Sequence, residues 1–338
     1  MGAQIIRFGI DIGKRLMVVH GVDRHEKIVL KKNFTRSKLL EYFSNLTQCE
    51  IGIESCGGSH YWARKLTEMG HEVRLISAKY VIPYRRKGKN DANDAEAICE
   101  AIGRPGMKFV SVKSEDQQAI LMAHRIRTFN IKSRTALINQ IHGHMLEFGV
   151  VVSKGRHKLT SELAELIDFD HIPKFVKVLV NDLLVTLCRV EDEIELLDRY
   201  ISDWVKNNDT ASRLMKMEGV GALTASAVIG TVGDPKQFKN GRHLSAWLGL
   251  TPRQNSSGGK SRLGKITKKG DRYLRTLLIH GARTILLKSA RGTSQYGEWL
   301  EKLRLNKPDN VVAVAMAAKQ ARMLWSVMSN KQTQYQPI

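Results

Sequence analysis

Ile5-Ile-Arg-Phe-Gly-Ile-Asp-Ile-Gly-Lys14 is the stretch whose alternation decides how the rest of the chain is read. Successive side chains of a strand point to opposite faces, so Phe8 and Ile10 share one face while Gly9 and Asp11 share the other. Working outward, the runs Leu16 to Val22 and Lys27 to Phe34 predict two more strands, with tight turns at Gly13 and near Asp23. A helix is expected from Ser37 to Leu46, a strand from Glu50 to Glu54, a helix from His60 to Met69 and a strand from Glu72 to Ile76.

Three antiparallel strands followed by helix, strand, helix and strand predict a mixed sheet covered by helices, the element order of an RNase H-like α/β fold. The segment Lys79 to Asn90, with Arg85, Arg86, Lys87, Lys89 and the helix-breaking Pro83, reads as a basic loop. Asn90 is a good cap for a helix from Asp91 to about Ile102. Glu115 to Phe148 and Pro173 to Lys206 are long helical patterns, the second with Val176, Leu179, Leu183, Leu187, Val190, Ile194 and Leu197 at spacings of three and four. They read as a helical hairpin or short coiled coil, suited to oligomerisation or to burial within one chain. From about Ala211 the pattern is mainly helical. It holds a helix-hairpin-helix-like turn at Glu218-Gly-Val-Gly221, a Pro/Gly/Ser-rich loop from Thr251 to Gly264, and basic helices beyond. The expected domains are 1–112 (mixed α/β), 113–208 (helical linker) and 209–330 (mainly α).

The acids carry the chemistry. Asp11 ends the first strand on the face of Gly9, and Glu54 closes Ile51-Gly-Ile-Glu54 on the face of Gly52. Asp91 and Asp94, three apart at a helix start, point in roughly one direction. Four acids from two strands and one helix can converge, and carboxylates held together repel unless a cation joins them. Phosphodiester cleavage by magnesium ions needs this kind of hard oxygen ligand set. Taken singly, each acid also has an ordinary reading, as a helix-terminus or strand-end charge.

The charge names the partner class. Lysine and arginine number 54 against 33 aspartates and glutamates, a formal +21, and 42% of residues are hydrophobic, so the chain folds and seeks a polyanion. No stretch approaches the roughly 20 uninterrupted apolar residues of a spanning helix, and nothing reads as a signal peptide, so nucleic acid in the cytoplasm is favoured over membrane. Cys49, Cys56, Cys99 and Cys188 show no paired metal-ligand spacing and read as free thiols. The histidines, among them His60, His142, His144 and His280, form no zinc spacing and read as structural or surface residues.

Asp11, Glu54, Asp91 and Asp94, within Ile10-Asp-Ile-Gly-Lys14 and Lys89-Asn-Asp-Ala-Asn-Asp-Ala95, resemble the acidic set of the DEDD transposases of the insertion-sequence family one-ten, relatives of the Piv DNA invertases. Ala246-Trp-Leu-Gly-Leu-Thr-Pro-Arg-Gln-Asn-Ser-Ser-Gly-Gly-Lys260 and Lys268-Lys-Gly-Asp-Arg-Tyr-Leu-Arg275 resemble the family's second hallmark. The resemblance implies a RuvC-like N-terminal domain with a magnesium-bound DEDD site, a central coiled-coil segment and a C-terminal transposase domain. It also implies a nucleophilic serine, here Ser257 with Ser256 as its neighbouring alternative. Donor and target DNA, a structured bridge RNA that selects them, and a homo-oligomer, dimer or tetramer, are the implied partners. Arg85, Arg86, Lys87, Lys89, Arg253, Lys260, Arg262, Lys265, Lys268, Lys269, Arg272 and Arg275 are the expected nucleic-acid contacts. Two other readings exist. Gly9-Ile-Asp-Ile-Gly13 also resembles the first phosphate loop of sugar kinases and actin-like ATPases, but the helical second half offers no second loop. A catalytically inactive nucleic-acid-binding protein would explain the charge and leave the four acids without a purpose.

Overall fold

The computed structural model describes residues 4–86, 88, 90–152, 172–255 and 262–330. The chain divides into two compact units, Met1–Glu115 and Asp116–Ile338.

In the first unit β1 (Ile5–Ile12), β2 (Leu16–Asp23) and β3 (Ile28–Thr35) form an antiparallel meander. After α1 (Arg36–Ser44), β4 (Glu50–Glu54) returns parallel to β1; α2 (Ser59–Glu68) then leads to β5 (Glu72–Ile76), parallel to β4. Next come α3 (Ala78–Val81), a single 3-10 turn over Ile82–Tyr84, α4 (Asp91–Ile102) and the two-residue β6 (Phe109–Val110), which closes a sheet of order β3-β2-β1-β4-β5-β6. The mixed sheet and its element order are those expected from the sequence.

The alternation in β1 sorts the two faces. Phe8 and Ile10, with Met17, Val19 and Ile51, pack against Leu39 and Phe43 of α1 and Trp62 and Leu66 of α2. Gly9 and Gly52 face α4 instead. A Cβ on Gly9 would collide with the carbonyl oxygen of Ala95, and one on Gly52 would lie 2.8 Å from Ile102 Cγ2. Helix α4 therefore lies against the sheet more closely than any side chain at those two positions permits. The segment 79–90 is not wholly a loop: Val81 is fully buried with Ile76 and Ile98, and Tyr80 and Tyr84 pack beside them, so apolar contacts fold α3 and the turn. Pro83 sits in the first positions of that turn, where its missing N–H costs nothing.

In the second unit α5 (Glu115–Glu147) and α6 (Lys174–Lys206) pair as a helical hairpin. Arg127 Nε donates to Asp198 Oδ1 at 2.5 Å and Asn130 Nδ2 to Glu193 Oε2 at 3.0 Å, so advancing along α5 retreats along α6. Val180, Leu187, Val190, Ile194, Ile201 and Val205 are its buried seam, at coiled-coil spacing. Leu179 is exposed and Val180 takes its place, a one-residue offset from the sequence reading.

Helices α7 (Asp209–Met215), α8 (Ala222–Val232), α9 (Gly241–Trp247), α10 (Arg272–Ala290), α11 (Gly297–Arg304) and α12 (Asp309–Ser329) build a second core around Leu214, Val228, Leu244, Leu278, Ile285, Val312 and Leu324. Within the expected loop the structure shows a hairpin, β7 (Pro252–Gln254) and β8 (Leu263–Ile266). The Gly219 turn is held by α10 and α12: Gln320 Nε2 donates to Glu218 O at 3.0 Å, and a Cβ on Gly219 would lie 2.7 Å from Gly281 O. Among the described residues only α12 is long and apolar enough by length and composition to cross a membrane, with a mean hydropathy of 1.2. Its Val312, Ala313, Met316 and Ala317 are buried in the core of the second unit.

Candidate active site

The acids occupy the carboxyl ends of two adjacent parallel strands. The β1–β4 register runs through Gly9↔Gly52 and Ile10↔Ile53, and Asp11 and Glu54 each stand one residue further, on strands about 4.8 Å apart. Both lie on the face that the glycines leave to α4. Asn90 caps that helix, its Oδ1 accepting from Asn93 N at 2.8 Å, which sets Asp91 and Asp94 in the first turn. Asp94 is buried and Asp91 exposed.

The charges of the other three acids act on Asp11. The Asp11 carboxyl is pushed up to about 6, first by burial and then by the charges of Asp91, Asp94 and Glu54, against one backbone hydrogen bond from Ile12. Arg85 forms an ion pair with Asp94, so this expected phosphate contact is held by an acid of the site. Arg86 is exposed, 3.6 Å from Glu96 and 3.9 Å from Glu100. Lys87 and Lys89 lie outside the described residues. Among the described residues no three His, Cys, Asp or Glu side chains are gathered closely enough to hold a metal ion. The acids thus share an electrostatic field without forming a closed coordination sphere. One neighbour escaped the sequence reading: the Cys56 thiol is raised by burial, then by Glu54 and Asp11. Its only signal was its place two residues beyond Glu54.

Ser257, Ser256 and Lys260 lie outside the described residues; the strands β7 and β8 that precede and follow them in sequence are described. Asn255 N donates to Arg262 O at 3.0 Å, and Arg253, Arg262, Lys265, Lys268, Lys269 and Arg272 are all exposed on or beside these strands. Arg275 departs from this set. It is only 8% exposed, and its Nη1 donates to Leu248 O at 2.9 Å, with Gly270 O at 3.4 Å and Asp271 O at 3.5 Å. The guanidinium ties the base of the hairpin together and is not offered to a nucleic acid. The same base is joined by Thr267 N to Thr251 O at 2.9 Å and Lys268 N to Gly249 O at 3.1 Å. Gly249 has φ 72 there, and a Cβ on it would lie 2.6 Å from the Lys269 nitrogen.

Comparison with known proteins matches both halves. The profile of a DEDD transposase of the IS110 group covers residues 8–149, and the family described as "Transposase IS116/IS110/IS902 family" covers residues 211–297. A "Probable family 20 transposase" of Pseudomonas aeruginosa is 44% identical over 334 residues, 98% of each chain. The "Transposase for insertion sequence element IS1328" of Yersinia enterocolitica is 37% identical over 319 residues, 94% of this chain and 95% of its own. A "Pilin gene-inverting protein" of Moraxella lacunata is 21% identical over 279 residues, 80% of this chain and 77% of its own. With both family segments in order along one chain, and with relatives this similar over nearly their whole lengths, the protein belongs to the IS110 family of insertion-sequence transposases, enzymes that act on DNA.

Proposed function

We propose that this transposase cuts and rejoins DNA strands with a divalent-metal site made by Asp11, Glu54, Asp91 and Asp94 in an RNase H-like (RuvC-like) unit, and with Ser257 as nucleophile. The observation that carries the reading is the state of Asp11, whose carboxyl rises to about 6 under burial and three neighbouring acids. Evolution does not need to place four like charges in one field for stability; a group of hard oxygens that repel one another is a fit receptor for magnesium. When bound, the ion supplies positive charge to the attacking and leaving oxygens of a phosphodiester. Asp11 and Glu54 would hold it from the strand ends, and Asp91 and Asp94 from the first turn of α4.

Ser257 would bond to phosphorus as one strand's P–O bond breaks, and a sugar hydroxyl would displace the serine when strands rejoin. Arg253, Lys260, Arg262 and Lys265 would hold the phosphate and steady the alkoxide. In this reading donor and target DNA are selected by a structured guide RNA, and the helical hairpin is an oligomerisation arm. Exposed Phe129, Phe175, Val178 and Val185 on that arm support the last point. The pilin gene-inverting relatives support recombination by strand exchange in inversion as well as in transposition.

The test is strand exchange in magnesium with Ser257→Ala and Asp94→Asn. Both variants are expected to bind DNA and to exchange no strands, and the wild type halted in mid-reaction is expected to carry a DNA adduct that survives denaturation. An adduct mapped to Ser256 moves the nucleophile by one residue. No adduct under any trapping condition, or full activity of Asp94→Asn, overturns the reading.

A further inference from the structure

In the second unit, α9 and α12 carry cations that have no counter-charge. Residues 235–250 hold Lys236, Lys239 and Arg242 and no carboxylate, and residues 310–330 hold Lys319 and Arg322 as their only charged side chains. The nearest acid in sequence, Asp234, is engaged with the backbone, its Oδ1 accepting from Lys236 N at 2.9 Å. Among the described residues Arg242, Lys319 and Arg322 form no ion pair.

The packing holds these three side by side. A Cβ on Gly241 would lie 2.7 Å from Arg322 Cα, so the start of α9 rests directly on the backbone of α12 and brings Arg242 beside Arg322. Lys319 precedes Arg322 by three residues, on one face of α12. Its Nζ stands 4.9 Å from the ring centroid of Tyr296 and 4.6 Å from that of Trp299, a contact that steadies the ammonium without neutralising it. Trp325, one turn beyond Arg322, is pinned by its Nε1, which donates to Pro235 O at 3.0 Å. Asn240, Gly241, Arg242, Arg322, Trp325 and Ser326 line an open depression of about 350 Å³. Both arginines are exposed, so their charge is open to a ligand there.

The field over this face is that of cations alone. Burial and then Arg322 push Lys319 down, burial and then Arg242 push Arg322 down, and no carboxylate opposes either shift. Like charges fixed together in this way are relieved by an anion. Three cations in a row on a firm base match a row of phosphates, and the family to which the chain belongs acts on DNA. Lys319 already lies over the rings of Tyr296 and Trp299, so this face offers charge more than stacking surface, which favours the backbone over the bases.

We propose that Arg242, Arg322 and Lys319 form a docking surface for the sugar–phosphate backbone of duplex DNA. The surface starts at the first turn of α9, the end away from β7, and adds to the basic residues beside β7 and β8. It rests on the DNA-binding reading given above and extends it to a second face of the same unit.

The test is fluorescence anisotropy of the full chain with labelled duplex DNA and with a labelled RNA hairpin, at several salt concentrations. The double variant Arg242→Gln/Arg322→Gln is expected to reduce the slope of log DNA affinity against log salt by about 2, and to weaken binding about thirtyfold at roughly 0.15 M salt. Lys319→Gln should reduce the slope by about 1. Arg242→Lys/Arg322→Lys should keep the wild-type slope, because a phosphate needs the charge whereas a base edge needs the guanidinium fork. Two duplexes of unrelated sequence should lose affinity alike. Circular dichroism confirms that each variant is folded. A folded glutamine variant with the wild-type slope, a lysine variant as weak as the glutamine one, or a loss confined to the RNA hairpin overturns the proposal. The wild type separates the two readings: a steep salt dependence shared unchanged by the double variant sinks this surface alone, and a wild type flat in salt sinks DNA binding through basic residues altogether.

Discussion

Removing the charge of Asp11 should stabilise the protein while destroying its activity. In the folded chain the Asp11 carboxyl rises from an ordinary 3.8 to about 6, mainly through burial and then through Asp91, Asp94 and Glu54. At 1.36 kcal/mol per pH unit the ionised form is disfavoured by at most about 3 kcal/mol. Partial exposure, and the weaker acceptor that Asn offers to the Ile12 N–H, reduce the expected gain of Asp11→Asn to about 1–2 kcal/mol. The sign follows from linkage: a group whose folded value is raised binds protons more tightly when folded. Its wild-type penalty is therefore absent below about pH 4, grows between 4 and 6, and is complete above 6. The assay is urea unfolding of wild type and Asp11→Asn from pH 4 to 8 in a chelator, with strand exchange measured in magnesium. The variant should be the more stable above pH 6, match the wild type near pH 4, and exchange no strands. A variant that is less stable at pH 7.5, or a gap that does not change with pH, refutes the convergence of the acids.

Four further outcomes follow from other parts of the structure. Gly9→Ala should cost more than about 3 kcal/mol or prevent folding, because its Cβ meets backbone of α4 and not a movable side chain; a change within 0.5 kcal/mol in denaturation would show that α4 has room. His124 hydrogen-bonds with Tyr273 Oη through Nδ1 and with Ser226 Oγ through Nε2, both at 2.9 Å, and burial followed by Arg127 lowers it from 6.5 to about 4. Its contribution, up to about 3 kcal/mol, is complete above pH 6.5 and is lost as pH falls toward 4; a second unit whose stability is level from pH 7 to 4.5 would contradict it. Arg275→Ala should destabilise by about 1.5–3 kcal/mol by stripping a charged donor from the hairpin-base carbonyls, whereas weakened DNA binding at unchanged stability would return Arg275 to the nucleic-acid contacts. If Arg253, Arg262, Lys265, Lys268, Lys269 and Arg272 each neutralise one phosphate, log affinity for duplex DNA against log salt should fall with a slope of about −5; a flat titration excludes them.

The positions of the acids on their strands and helix were legible in the chain because strand alternation and helix capping are local rules. Asp11 and Glu54 had to share faces with Gly9 and Gly52, and Asn90 had to start a helix with Asp91 and Asp94 in its first turn. The charge of +21 identified the class of partner, since composition needs no folding to be read. What no local rule holds is which distant backbone fills a space. That α4 lies on the two glycines, and so delivers its acids to the ends of β1 and β4, depends on Ala95 and Ile102 meeting Gly9 and Gly52 across the sequence. The fate of individual basic residues is just as non-local. Arg85, Arg275 and Lys265 look alike in sequence, yet one pairs with Asp94, one is buried on the Leu248 carbonyl and one remains in solvent. An arginine's partner is set by whichever carbonyl or carboxylate the fold brings within about 3 Å, and only the packed chain decides that.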